Sequence, residues 1–294
     1  MKLTNYHNLP QTFVNVLSKP TYSKGKAHMS VTELLQPPQI VQLKKRYWEK
    51  LEEDVADKIW AIFGTAIHTV LELGKDANSV VEQRLHANVD GWDISGAIDL
   101  QTIESDGVIV SDYKTTGAWA VMNNKIDWEQ QLNIYAWLVE YVKKLPVKKI
   151  EIVAIIRDWS RRDTAKEGYP EAPIKVLDIP LWSFEERDRF IRSRVQFHSN
   201  AQLASEIGED YLHCTPEEMW EKKAVYAVRK IGNVRAKSLH ETEEDANKKL
   251  IELGTGFEVD VRKGERTRCN NYCPVNKHCK QYEQYIKERD SECE

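Results

Sequence analysis

The chain has 294 residues, 30% of them charged and 41% hydrophobic, which allows one sizeable core with appendages or two smaller cores. No run approaches about 18 consecutive apolar residues, which excludes a membrane-spanning helix, and the opening M-K-L-T-N-Y-H-N-L-P lacks the apolar stretch of a secretory leader, so a cytoplasmic protein with no membrane partner is expected. A net charge of -4 excludes a uniformly basic polyanion binder, although local groups of cations still count.

In chain order, residues 1–43 read as polar and irregular, punctuated by Pro10, Pro20, Pro37 and Pro38, with S-V-T-E-L-L as a short helix capped by Ser30. From Val41 to Leu73 the periodicity predicts long helices with Trp48, Leu51, Val55, Ile59 and Ile62 on one buried stripe, and G-T-A-I-H-T-V-L-E places His68 on an amphipathic helix.

Strands dominate from Val80 to Thr115. Asp99 ends a short apolar stretch after Gly96, Glu104-Ser105-Asp106-Gly107 reads as a hairpin turn, and V-I-V-S-D-Y-K-T-T follows. Alternation along that strand puts Asp112 and Lys114 on one face and Tyr113 on the other. The resulting D-x12-D-x-K hairpin can set Asp99 and Asp112 around one hard cation, Mg2+ or Mn2+, with Lys114 beside it to orient a water and offset phosphate charge. An isolated D-x-K is ordinarily a solvated strand face. Two features weigh against that here: His68 upstream can complete a metal shell, and Gln131 and Tyr135 lie four apart on the next helix, hence on one face. Tyr135 also fits a core stripe with Trp128, Leu132, Ala136 and Val139.

Downstream, K-I-E-I-V-A-I-I-R reads as a buried strand and Lys175 to Trp182 as extended chain, and Ser183 with Glu186 forms a capping box that opens a helix to about Ala204. Thr242 starts a short helix ending near Gly254, and F-E-V-D-V-R alternates as a strand. Lys222, Lys223, Arg229, Lys230, Arg235 and Lys237 stand in residues 221–240 against Glu221 alone, and Arg157, Arg161, Arg162 and Lys166 form another basic group. Each group either tracks phosphates or is a solvated face. Trp119, in an expected loop after T-T-G-A, either contacts a nucleic-acid strand or packs locally, whereas Trp60 and Trp137 read as core. No G-x4-G-K-S/T motif is present, so ATP hydrolysis is not expected.

Five cysteines remain. Cys269, Cys273 and Cys279 form C-x3-C-x5-C, a metal-site pattern in a chain without a secretory leader. Cys214 is the expected fourth ligand, with His278 or His213 as substitutes, and Cys293 in the charged tail reads as a free thiol.

The order of these motifs, a helix with His68, strands with Asp99 and D-Y-K, then a helix with Q-x3-Y, resembles the PD-(D/E)XK nuclease superfamily over roughly residues 59–143. Within it the pattern is similar to the RecB-like exonucleases, which include the CRISPR-associated exonuclease family and many phage nucleases. The resemblance implies a restriction-endonuclease-like α/β fold: a mixed central β-sheet flanked by helices, with N-terminal helices and a cysteine-containing C-terminal extension. The expected segments are an N-terminal helical part (1–58), a nuclease core (59–205) and a cysteine-rich, basic extension (206–294). It further implies one or two Mg2+ or Mn2+ ions held by His68, Asp99, Asp112 and the backbone carbonyl of Tyr113, catalysis by Lys114, and Gln131 and Tyr135 supporting the site and the DNA. Glu72 and Glu82 are either site carboxylates or partners in surface ion pairs.

Several RecB-like nucleases hold a [4Fe-4S] cluster with one cysteine near the N-terminus and three near the C-terminus. Here no cysteine precedes residue 214, and S-V-T-E-L-L-Q-P-P-Q has proline where such a cysteine would stand. The cluster, Zn2+ and reduced structural thiols therefore all stay open. The implied activity is a metal-dependent DNA exonuclease in phage or bacterial DNA processing, with DNA as partner and recombination or replication proteins alongside. The alternative is a DNA-binding or CRISPR-adaptation accessory that keeps the fold. Exonuclease or endonuclease action, strand preference and oligomeric state are not encoded in any motif.

Overall fold

The computed structural model describes residues 1–19, 23–123, 125–209 and 213–291, so Cys293 lies outside the described residues. In chain order the elements are β1 (Lys2–Thr4), α1 (Gln11–Leu17), β2 (Met29–Ser30), α2 (Val31–Leu34), α3 (Pro38–Arg46), β3 (Glu52–Asp54), α4 (Ile59–Glu72), β4 (Ser79–Val89), β5 (Trp92–Glu104), β6 (Gly107–Thr116), α5 (Ala118–Met122) and α6 (Ile126–Leu138). They continue with β7 (Val147–Ile156), β8 (Ile174–Ile179), α7 (Phe184–Glu206), β9 (Glu221–Lys222), β10 (Val225–Lys230), β11 (Ala236–His240), α8 (Glu243–Leu253), β12 (Phe257–Arg262), β13 (Glu265–Arg266), α9 (Thr267–Asn271) and α10 (Lys280–Ser291). The chain divides into one unit of residues 1–38 and 49–209 and a second of residues 39–48 and 210–294.

In the first unit a mixed sheet runs β2-β5-β6-β7-β8, with β4 also paired to β5. β4, β5 and β6 form an antiparallel meander, β6 and β7 are parallel, and β8 closes the edge antiparallel. The β4–β5 turn is built by Asp90 and Gly91, both at positive φ (51° and 86°), the conformation that matches the right-handed twist of the flanking strands. On β7, Ile150, Ile152, Ala154 and Ile156 alternate with half-buried residues, so one face of the strand is sealed. α6 is buried at every position from Gln131 to Leu138, which explains why it has no polar side. Ser30 and Ser183 cap α2 and α7 through reciprocal bonds with Glu33 and Glu186, as their spacing predicts.

Between 41 and 73 the expected helices form as α3 and α4, but not as one continuous run. α3 ends at Arg46, and β3 breaks the chain by pairing in parallel with β1, a partner some fifty residues away that local periodicity does not reveal. Leu51 and Val55 are buried, but Trp48 and Ile59 are exposed. Trp60, expected in the core, is 55% exposed, with the Arg157 guanidinium 4.1 Å above its ring. Trp137 is fully buried as expected.

In the second unit β10 is the centre of an antiparallel β11-β10-β12 sheet, and β9 pairs with β13. α8 lies against this sheet through the buried Ala246, and its N-terminus is capped by Thr242, which accepts from Asp245 N–H.

Candidate active site

β5 and β6 are paired from Glu104↔Gly107 to Leu100↔Ser111 and then part, while β6 continues against β7 with Asp112 opposite Ile152. Asp99 and Asp112 are the first residues past the last pair, so both carboxylates sit where the sheet opens. Tyr113 N–H, freed from β5, donates to Asp99 Oδ2 at 2.8 Å, and the Tyr113 carbonyl lies 3.1 Å from His68 Nε2. Gly96 makes room for the helix that backs the site, since a Cβ there would stand 2.8 Å from both Leu138 Cδ1 and Tyr135 Cε1.

His68 on α4 also faces two carboxylates, with Nδ1 at 3.3 Å from Glu82 Oε1 and 3.6 Å from Asp99 Oδ1. Among the described residues, His68, Glu82 and Asp99 are the one group of three such donors whose ligand atoms all lie within 4.8 Å of one another. Glu82 reaches this position by leaving the β-sheet pleat. Its φ is +48°, and the β4–β5 ladder passes from Val81↔Leu100 to Gln83↔Ile98 without it. A left-handed glutamate costs about 1–2 kcal/mol, a strain found most often where function requires it. Sequence alone leaves Glu82 undecided, because nothing local marks the residue of a strand that will break its ladder.

Electrostatics follow from this crowding. Burial, reinforced by the Asp112 charge, pushes Asp99 up to about 7. The Glu82 hydrogen bond, helped by the Asp99 charge, raises His68 to about 9.

Asp112 stands outside the trio and is held from the other side. Lys114 Nζ lies 2.6 Å from Asp112 Oδ2 and donates to Gln131 Oε1 at 3.0 Å. Gln131 Nε2 donates to Tyr135 Oη at 2.8 Å and, at 3.4 Å, to Asp112 Oδ1. Tyr135, Gln131, Lys114 and Asp112 thus form one connected chain across α6 and β6. Asp112 Oδ2 itself is buried without a hydrogen bond despite the adjacent ammonium. A buried carboxylate oxygen left in this state, with the Asp99 carboxylate close enough to interact with it, fits a hard divalent cation.

The sequence model of the PD-(D/E)XK nuclease superfamily matches residues 6–280. The chain belongs to that superfamily. None of the curated proteins matches it. Among solved structures, one titled "Crystal structure of SSO0001" aligns at 21% identity over 63% of this chain and 82% of that one, with a TM-score of 0.42.

In this superfamily member the remaining candidate residues are distributed as follows. Glu72 is exposed and has no partner among the described residues. Trp119, expected in a loop, lies in the first turn of α5 and is 68% exposed. In the second unit, Lys222 pairs with Glu265 at 2.7 Å and Arg229 with Glu258 at 3.2 Å. Lys223 and Lys230 are exposed with no partner among the described residues.

Cys214, Cys269, Cys273 and Cys279 line one cavity of the second unit, together with Gln39, Arg266 and Arg268. Cys214 is fixed by its N–H to Gln39 Oε1 (3.1 Å) and to Gln281 Oε1 (2.9 Å), and Gln39 Nε2 donates to Cys279 Sγ at 3.5 Å. Burial raises Cys214 and Cys273 and lifts Cys269 to about 11, with the neighbouring thiols adding to the effect in all three. Neither histidine considered as a substitute joins them. His278 stacks on Tyr47 at 4.4 Å, and His213 faces Arg266, Gln284 and Glu288. No helix among the described residues is long and apolar enough to cross a membrane.

Proposed function

We propose that this chain is a Mg2+- or Mn2+-dependent deoxyribonuclease that degrades DNA from its ends, with residues 59–205 as its catalytic part. The observation that carries the reading is the parting of β5 and β6 at Asp99 and Asp112, with His68, Glu82 and the Tyr113 carbonyl on one side and Lys114 on the other. When bound, the divalent ion supplies Lewis acidity and charge neutralisation at the scissile phosphate. His68, Asp99, Asp112 and the Tyr113 carbonyl would hold it, and Glu82 would join them or fix the His68 ring. Lys114, anchored by Gln131, presents an ammonium that orients the attacking water and meets the charge growing on the phosphate oxygens. Gln131 and Tyr135 keep that ammonium from collapsing onto Asp112 alone.

The four cysteines are assigned to an iron-sulfur cluster with a structural role. All four line one cavity of the second unit, and four thiolates are the ligand set that such a cluster takes. Arg266 and Arg268 at the cavity wall offset the charge of four thiolates.

End-labelled linear duplex DNA incubated beside a covalently closed circle, with Mn2+ or with EDTA, tests the nuclease reading. Loss of the linear species alone, abolished by EDTA, is expected. Persistence of both substrates with folded, Mn2+-loaded protein contradicts it, and equal attack on the circle overturns the end requirement.

A further inference from the structure

Of the six cations between Lys222 and His240, two are spent within the second unit, since Lys222 pairs with Glu265 and Arg229 with Glu258 and Asp260. Three others surround the turn of the β10–β11 hairpin. Lys230 and Arg235 are exposed and have no partner among the described residues, and the Lys237 ammonium meets only the Phe257 ring, at 5.1 Å. No carboxylate occurs anywhere from residue 222 to residue 240.

The turn between the strands is tied down. Asn233 N–H donates to Lys230 O at 2.9 Å, Arg229 Nη1 to Asn233 O at 3.0 Å, and Arg262 Nη2 to Val234 O at 2.9 Å. Ile231 N–H reaches Gly256 O at 3.0 Å, and Gly232 takes the positive φ of +83°. Yet this ordered turn holds Ile231 and Val234 in solvent, 61% and 84% exposed. Beside it runs an open groove of about 660 Å³ walled by Arg229, Arg235, Lys237 and Arg262, with Asp260 as its one carboxylate. Arginine contacts to turn carbonyls fix the loop before any ligand arrives, so little ordering entropy is left to be lost on binding.

We infer that this hairpin is a nucleic-acid-binding element: Lys230, Arg235 and Lys237 take successive backbone phosphates, and Ile231 and Val234 lie against sugar or base faces. The inference rests on the DNA nuclease reading for the identity of its ligand. Cations at this density, without intervening carboxylates, match a polyphosphate backbone. Apolar side chains held beside them match the hydrophobic faces that a strand exposes between its phosphates.

The test uses the full chain in EDTA, so that DNA is bound and not cut, with a fluorescent DNA oligonucleotide titrated at several salt concentrations. In a Lys230→Gln/Arg235→Gln/Lys237→Gln variant, the slope of log K against log salt is expected to fall by about 3, with affinity reduced on the order of a hundredfold at low salt. Lys248→Gln/Lys249→Gln, on α8 of the same unit, is the control and should keep the wild-type slope. Ile231→Ser/Val234→Ser should weaken binding without changing the slope. An unchanged slope in the triple variant, or binding to phosphatidylserine vesicles in place of DNA, overturns the inference. Hydrolysis of bis(p-nitrophenyl) phosphate by the wild type with Mn2+ separates the two readings. Hydrolysis with an unchanged DNA slope sinks the hairpin and keeps the nuclease, and a lowered slope without hydrolysis does the reverse.

Discussion

Asp99 and His68 both hold their protons more tightly in the folded chain than in the unfolded one, Asp99 because it is buried beside Asp112 and His68 because Glu82 and Asp99 surround it. The signs add. A carboxyl raised to about 7 favours the fold while protonated and loses that contribution as pH climbs from the ordinary carboxylate range through 7. An imidazole raised to about 9 contributes fully below the ordinary histidine value and loses it as pH climbs through 9. The Tm of metal-free protein should therefore fall between pH 5 and pH 9, and saturating Mn2+ should raise it most at the alkaline end, where no proton competes for the ligands. Differential scanning calorimetry at fixed ionic strength checks this, and a metal-free Tm that rises with pH contradicts it. Glu82→Gln removes the partner that raises His68 most, so the histidine titration followed by NMR should move down toward the ordinary value. Asp99, Asp112, Lys114, Gln131 and Tyr135 were legible in the sequence because strand alternation and helical spacing fix which side chains share a face. Glu82 was not, because its role depends on a backbone conformation that its neighbours Val81 and Gln83 do not announce.

At the scale of elements, what could be read was what is locally encoded. Capping boxes at Ser30 and Ser183 and the alternation in β6 and β7 all mark elements that their own residues specify. In the stretch from 41 to 73 the expected helices form as α3 and α4, and only β3 between them escapes the local pattern, because it exists through its pairing with β1. Gly96 is the residue on which element packing and site geometry meet, since its missing Cβ is what lets Tyr135 and Leu138 press on β5. Both neighbours are buried and cannot swing away. Gly96→Ala should destabilise the protein by about 1–3 kcal/mol, the usual magnitude of overpacking, and should lower activity by displacing the ring that accepts from Gln131. A urea denaturation midpoint equal to that of the wild type would show that α6 can yield after all.

For the whole molecule, the sequence leads one to expect a nuclease-like core followed by a cysteine-bearing extension, but nothing local reveals that residues 39–48 associate with residues 210–294 in one unit. Gln39 belongs there because its amide meets both Cys214 and Cys279, a pairing across more than 170 residues that no local pattern reveals. If the four thiols hold a cluster, Cys273→Ala should abolish the iron content and visible absorbance of anaerobically purified protein and lower its Tm. Stoichiometric zinc without iron would replace the cluster with a zinc site. If Asp99 and Asp112 at the parting of β5 and β6 form a metal-dependent hydrolytic centre, single-turnover cleavage of end-labelled linear DNA with Mn2+ should separate wild type from Asp112→Asn. The substitution should lower the cleavage rate by at least about a thousandfold, the scale of losing a principal charge-stabilising group, while DNA affinity in EDTA is retained. Cleavage by Asp112→Asn at a rate near that of the wild type would contradict such a centre.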